Sequence, residues 1–253
     1  MINPPLVSII TPCYNAASVI SQTIESVLNQ SYTNWELLIC DDCSTDNTCD
    51  IINEYMSKDS RIHLYSTPHN TGHPIMPRNI SLANANGNVI AFLDADDIWL
   101  PDMLKTNVEF LTSNGYDIVF SEYEKFDWDG TRNSRVIHYR SEVTYRDMLR
   151  ICSVPACITT IATKEAVGST KFLDVPIEDY AFWLEIFRKG YVAHNTHTVQ
   201  GLYRQSPKTR SGNKLSQFFK HWYILRRVEK INLVSACYYQ MYYAFAGLIR
   251  YLK

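Results

Sequence analysis

Residues 91–101 read AFLDADDIWLP, an apolar run that ends in three carboxylates within four positions, Asp94, Asp96 and Asp97, before Trp99, Leu100 and Pro101. Carboxylates this close repel one another unless a cation or hydrogen-bond donors sit among them. A divalent cation answers that repulsion, and two or three carboxylates are too few to enclose it. Mg²⁺ or Mn²⁺ would complete its shell with waters and substrate phosphates. The acids would then hold a metal and the metal a diphosphate. A solvated acidic turn is the commoner fate of such a stretch, so its meaning rests on what surrounds it.

Working outward, short β-rich runs alternate with helical patterns, the signature of βαβ units around a parallel sheet. Strands are expected at Leu6 to Thr11, Trp35 to Cys40, Ile62 to Tyr65, Val89 to Leu93 and Asp117 to Phe120. Helices are expected at Val19 to Asn29, Asn47 to Met56, Met76 to Ala85 and Pro101 to Leu111. In the first, Ile20, Ile24, Val27 and Leu28 share a face and Ser18 is placed to cap it, while Pro101 suits a first helical turn. Short crossovers predict helices on both faces of the sheet. From Ser121 to Arg150 no clear period emerges. The pattern resumes with an apolar segment, Ile158 to Ala162, and with VPIEDYAFWLEIFRKG at 175–190.

Ligands of such sheets bind outside the carboxyl ends of the strands. Those exits read TPCYN (11–15), DDCSTDN (41–47) and DADD (94–97), all polar and two strongly acidic. Asp41 can accept a base imide N–H, and Ser44 or Asp46 can cap the next helix. Pro12 and Tyr14 offer a rigid turn and an aromatic surface for a base. Arg78, in MPRN, can meet phosphate or orient Asp94. Each also has an ordinary structural use, as a cap, a turn, a core tyrosine or a surface arginine; their joint placement on adjoining exits is what favours a site.

With 253 residues, 46% hydrophobic and 20% charged, the chain can bury a substantial core, and disorder is excluded. Seven cysteines, mostly inside apolar runs, and an N-terminus without a signal-peptide pattern point to a reducing cytosol. Cys40, Cys43 and Cys49 lack the fourth ligand of a zinc site and read as packed or loop thiols. The net charge of −2 conceals a division: from Tyr203 onward ten Lys or Arg face one acid, Glu229. That basic end suggests an anionic surface or ligand, and it lacks any nucleic-acid reading motif. The last segment, NLVSACYYQMYYAFAGLIRYLK, is helical by period, too interrupted to span a bilayer, and suited either to a membrane interface or to packing on the domain.

The ordered set VSIITPCYNAASVISQTIESVLNQSYTNWELLICDDCSTDNT, RNISLANANGNVIAFLDADDIWLP and IEDYAFWLEI resembles glycosyltransferase family 2, inverting enzymes of the GT-A fold. The resemblance is dense over residues 5–105, returns near 178 and is only general beyond about 200. It implies an α/β fold, a Rossmann-like, mainly parallel sheet flanked by helices. The catalytic domain would span 1–202, with a nucleotide-sugar half at 1–120 and an acceptor half at 121–202, followed by a basic, aromatic, helical extension at 203–253. It further implies that Thr11, Pro12 and Tyr14 border the base, Asp41 accepts its imide hydrogen bond and Arg78 helps close the pocket. Asp94, with Ala95 beside it, would bind ribose, Asp96 would ligate Mn²⁺ or Mg²⁺ on the diphosphate, and Asp97 would support them. Asp179, after Glu178, matches the catalytic base. Without the upstream motifs, that acid pair would read as a helix N-terminus favoured by the dipole.

The implied reaction moves a sugar from a nucleotide donor, UDP by preference, to a saccharide hydroxyl with inversion. Small size and a basic aromatic tail add a cytoplasmic enzyme, peripheral at the inner face of the cytoplasmic membrane, that extends a lipid-linked saccharide for O-antigen, lipopolysaccharide or capsule. Two departures stand out. Where relatives carry a histidine after the strand near 200, this chain has Gln205 and Ser206, with Lys208 or Arg210 as alternative diphosphate contacts; and Pro74 and Pro77 precede Arg78. His69 and His73 read as loop residues rather than metal ligands. The rivals are a silent nucleotide-sugar-binding protein and a sugar-phosphate nucleotidyltransferase, the latter disfavoured because TPCYNAAS has neither glycine nor lysine.

Overall fold

The computed structural model describes residues 4–151, 156–205 and 214–252. Its first half runs β1 (Val7–Cys13), α1 (Ile20–Leu28), β2 (Trp35–Asp41), α2 (Thr48–Met56), β3 (Ile62–Ser66), α3 (Ile75–Ala83) and β4 (Val89–Phe92). There follow β5 (Ile98–Trp99), α4 (Met103–Asn114), β6 (Ile118–Asp127), β7 (Arg132–Ile137), β8 (Glu142–Val143) and α5 (Tyr145–Ile151). The chain continues through β9 (Thr160–Thr163), α6 (Lys164–Val167), α7 (Glu178–Arg188) and β10 (Ala193–Gln205) to α8 (Lys214–Tyr223), a π turn (Ile224–Val228) and α9 (Leu233–Leu252).

One sheet carries the strands in the order β3-β2-β1-β4-β9-β6-β10-β5, with β7 on β6 and β8 on β10. β3, β2, β1 and β4 are mutually parallel, β9 is inserted antiparallel between β4 and β6, and β10 runs parallel to β6. Alternation along the buried strands divides the core in two, as expected for a sheet covered on both faces. Ile9, Leu37, Ile39 and Ala91 pack with Ile20, Ile24 and Val27 of α1 and with Leu104 and Val108 of α4. Ile10, Leu38 and Phe92 pack instead with Phe182, Trp183 and Phe187 of α7. The helical C-terminal extension sits on this second layer, with Ile224, Leu225 and Ala236 buried in it.

Four local expectations are corrected. Ser18 does not cap α1; the helix is entered through a backbone turn in which Ala16 O accepts from Val19 N and Ile20 N. Pro101 lies in the turn before α4, which begins at Met103; there its carbonyl accepts from Ser31 N. The strand expected to end at Phe120 continues to Asp127, because its second half is paired on both sides, by β10 and β7. Tyr203, Arg204 and Gln205, read as the start of the basic helical segment, are the end of β10.

Glu36 on β2, Ser8 on β1 and the turn before β4 meet beneath the sheet: Ser8 Oγ donates to Glu36 Oε1 (2.5 Å), and Gly87 N donates to Ser8 Oγ (2.8 Å). A Cβ on Gly87 would stand 2.5 Å from Leu6 O and 2.7 Å from Ser8 N, both backbone atoms that cannot step aside. Gly87→Ala is therefore expected to cost about 3 kcal/mol of stability by forcing β4 off β1. Urea unfolding followed by circular dichroism checks this, and an unchanged midpoint would show that the contact relaxes freely.

Candidate functional site

Register brings the three polar exits to one edge. Cys13 pairs with Asp41 across β1 and β2, and Leu93 N donates to Ile10 O (3.1 Å), so Tyr14, Asp41 and Asp94 emerge side by side. The first two exits are laced together: Asn15 N donates to Ser44 Oγ (2.8 Å), Thr45 N to Asn15 Oδ1 (2.8 Å), and Ser44 N to Asp41 Oδ2 (2.8 Å). Asp41 is buried, and its oxygens retain acceptor capacity beyond these bonds. Thr11 and Pro12 are buried within β1, the Thr11 hydroxyl having no partner among the described residues, whereas Tyr14 is half exposed beyond the strand end. Asp46 accepts from Thr48 N (3.0 Å), the first residue of α2, in the turn ahead of the helix, while Asn47 holds the N-cap position without a side-chain cap bond. Neighbouring Asp42 is spent on structure: its carboxylate accepts from Thr67 Oγ1, Thr71 N and Gly72 N, fixing the loop after β3.

The acidic stretch is flanked by two buried guanidinium groups. On one side Arg78 of α3, 5% exposed, donates to Asp94 Oδ1 (2.7 Å) and lies 3.4 Å from Glu178 Oε1 at the head of α7. Burial works against its charge, but the carboxylates of Asp94 and Asp179 more than compensate and hold its proton firmly. Arg78 thus ties the fourth strand exit to the acid pair at 178–179. Asp179 is half buried, with its Oδ1 accepting from Tyr180 N (2.8 Å), while Tyr180, Phe182 and Trp183 turn into the core. Burial, and then Asp179, push the Glu178 carboxyl upward, and Arg78 opposes them.

On the other side stands Arg204 of β10, 3% exposed, which the sequence had grouped with the basic tail. Its backbone N–H donates to Asp97 Oδ1 (2.8 Å), Nε to Asp96 O (2.7 Å), one terminal nitrogen to Gln22 Oε1 (2.6 Å) and the other to Trp128 O (3.0 Å). Phe126 lies against its guanidinium, 4.4 Å from ring centre to Cζ. Thr23 Oγ1 of α1 reaches the carbonyls of Ala95 (2.8 Å) and Asp97 (2.9 Å) from behind. Charge counting missed Arg204, but the strand alternation of GLYRQ puts it on the face opposite Tyr203, a signal that pairing of this segment with β6 would have made readable.

Asp94 is thus taken by Arg78 and Asp97 by Arg204, and among the described residues no side-chain donor reaches the carboxylate of Asp96. Burial, and then the charge of Asp94, push that carboxyl up to about 6. No three His, Cys, Asp or Glu side chains among the described residues are grouped to enclose a cation. This hard-oxygen donor set fits Mg²⁺ or Mn²⁺ held by one carboxylate together with diphosphate oxygens and water, and does not fit a closed all-protein site. His69 and His73 line a separate cavity of about 590 Å³ with Met76, Asn79 and Asp174. Gln205 is the last residue of β10, while Ser206, Lys208 and Arg210 lie outside the described residues.

The raised Asp96 carboxyl has a measurable cost. Its folded-state value lies above the unfolded one, so the penalty is absent at low pH, grows between pH 4 and about 6, and is full above that range. Asp96→Asn is expected to stabilise the ligand-free protein by about 2 kcal/mol at pH 8, with little gain at pH 4. Thermal melts at the two pH values check the sign; equal gains at both would remove the electrostatic explanation.

Comparison with known proteins agrees with this geometry. The family model described as "Glycosyl transferase family 2" matches residues 8–167. TuaG of Bacillus subtilis strain 168, named for teichuronic acid biosynthesis, is 36% identical over 241 residues, 95% of each chain. WfaP of Escherichia coli, a UDP-Glc:α-D-GlcNAc-diphosphoundecaprenol β-1,3-glucosyltransferase, is 36% identical over 250 residues, 97% of this chain and 95% of its own. Among solved structures, residues 1–349 of S. aureus TarS with UDP-GlcNAc superpose with a TM-score of 0.73 at 20% identity, covering 95% of this chain and 71% of that one. The strand order, the acidic exit of β4 and the length of the matches converge: this chain has the GT-A fold and belongs to glycosyl transferase family 2.

Proposed function

We propose that the protein is an inverting glycosyltransferase that moves a hexosyl residue from a UDP-sugar to a hydroxyl of a lipid-linked saccharide. It would work at the inner face of the cytoplasmic membrane, in the assembly of O-antigen, capsule or a related surface polysaccharide. The observation that carries this reading is the Asp94–Arg78–Glu178 chain, which joins the edge that would hold a donor to the acid pair that would take a proton. The similarity to WfaP supports the acceptor class, that to TuaG supports polysaccharide assembly, and the superposition on TarS supports the fold that the reading requires.

In this reading Tyr14 and Asp41 take the base, with Thr11 and Pro12 forming the floor beneath it, and Asp94, oriented by Arg78, takes the ribose beside Ala95. Asp96 would hold the divalent metal. When bound, that metal neutralises the charge that grows on the departing nucleoside diphosphate. Asp179 accepts the proton of the attacking hydroxyl as the acceptor oxygen forms its bond to the anomeric carbon and the bond to the diphosphate breaks on the opposite face. Glu178 is engaged by Arg78, which leaves Asp179 as the member of the pair free to act on an acceptor. The Arg204 clamp keeps the acidic turn from moving as the diphosphate arrives and leaves.

The test is release of nucleoside diphosphate from a panel of nucleotide sugars, with Mn²⁺ or EDTA, in the presence of membrane extract carrying lipid-linked acceptors. Release from one donor, lost in EDTA and in Asp96→Ala, is expected. Asp179→Asn should lower turnover by about 10²- to 10⁴-fold while leaving UDP binding by calorimetry near the wild-type value. A folded protein that binds UDP yet turns over no donor under any of these conditions would replace the transferase with a nucleotide-sugar-binding protein.

A further inference from the structure

The C-terminal helical hairpin has two faces of opposite character. Its inner face is accounted for. Ala236 and Gln240 of α9 are buried, Gln240 Oε1 meets His221 Nδ1 (2.9 Å), and Gln240 Nε2 donates to Phe218 O (2.8 Å). His221, fully buried on α8, lies 3.4 Å from the hydroxyl of Tyr180, the residue after Asp179 on α7. The hairpin is thereby fixed to the helix that carries the acid pair.

The outer face is apolar where water should make it polar. Val234, Tyr238, Met241 and Phe245 follow one another at intervals of four, three and four residues, a single stripe along α9, with Val234 81%, Met241 68% and Phe245 62% exposed. Cys237 and Ala244, at positions on the same stripe, are exposed as well. On α8, Leu215, Phe219 and Tyr223 form a second exposed stripe at intervals of four. A helix apolar around its whole circumference is normally enclosed, and exposed apolar patches of this extent mark a docking surface. No helix among the described residues is long and apolar enough to cross a membrane, so α9 is not a span.

The charge around this face identifies what covers it. Arg227 and Lys230 are exposed at the turn between the helices, and Arg150 of α5 sits by Tyr238 and Tyr242, 6.0 and 5.5 Å from their ring centres. Glu229, the one carboxylate from Tyr203 onward, is withdrawn from the surface: its side chain is 1% exposed, accepting from Tyr145 Oη (2.5 Å) and facing Arg188 (3.3 Å). The face is therefore apolar and cationic, without a competing acid of its own. A second copy would bring like charge against like. An anionic phospholipid surface offers both complements, acyl chains for the stripe and headgroup phosphates for the cations.

We infer that the outer face of the α8–α9 hairpin is a docking surface for an anionic lipid bilayer, with α9 lying in the plane of the interface. This does not depend on the transferase reading. The experiment is co-sedimentation of the full chain with vesicles of phosphatidylcholine alone or with a third phosphatidylglycerol, at low and high salt. Binding to the anionic vesicles that salt weakens is expected. Met241→Asp with Phe245→Asp should weaken it by at least about tenfold, and Arg227→Gln with Lys230→Gln by about 25-fold, from roughly fivefold per cation. Both pairs of substitutions should leave release of nucleoside diphosphate to a water-soluble saccharide acceptor unchanged, which separates docking from chemistry. Absence of binding to anionic vesicles, or binding that neither pair of substitutions diminishes, overturns the inference. So does self-association in analytical ultracentrifugation that Met241→Asp with Phe245→Asp abolishes, which would assign the face to a second copy.

Discussion

The arrangement depends on the repulsion among carboxylates gathered at one end of the sheet and on the two buried guanidinium groups that answer it. Asp94, Asp96 and Asp97 leave β4 within four positions, and Glu178 and Asp179 arrive at the head of α7. Arg78 takes one acid from each group and Arg204 fixes the far end of the β4 exit. Removing Asp94 would leave the buried Arg78 guanidinium with only the more distant Glu178, a cost of several kcal/mol. Asp96 is the acid whose carboxylate receives no side-chain donor among the described residues, although the charge of Arg204 acts on it, and in the proposed reaction it would be the one left for a cation.

Much of this was legible in the chain. Parallel strands buried on both faces read as continuous apolar runs, and the polar residues that follow them mark the edge where ligands bind in any open α/β sheet. The exits at Thr11, Asp41 and Asp94 were therefore locatable without coordinates, and the pairing of Arg78 with Asp94 was one of two uses open to that arginine, the other being a phosphate contact. The segment from Ser121 to Arg150 was not legible, because β6 is buried at its start and half exposed at its end and is flanked by both parallel and antiparallel partners; no single period describes it.

Arg204 was hidden for a different reason. Charge totals treat every arginine near the C-terminus as equivalent, yet this one is consumed inside the fold while Arg227 and Lys230 face solvent. The distinction lies in pairing over long sequence distance, which local pattern does not encode. Likewise Ser18 has the residue type of a cap, but the neighbouring loop already satisfies the helix end through Ala16 O. The Asp46 side chain reaches the turn ahead of α2 without taking the cap position, and its other oxygen accepts from Ala17 N of the first exit.

The contact between Arg204 and Asp97 joins residues 107 positions apart. During synthesis at roughly 5–20 residues per second, the β4 exit is made about 5–20 s before the arginine that clamps it. Over that interval the nascent first half carries an acidic turn without the strand that will clamp it, and β6 waits for the same strand to lie beside it. The order of translation thus makes the acidic edge at the β4 exit one of the last parts of the molecule to become rigid, although most of its residues are among the first to be made.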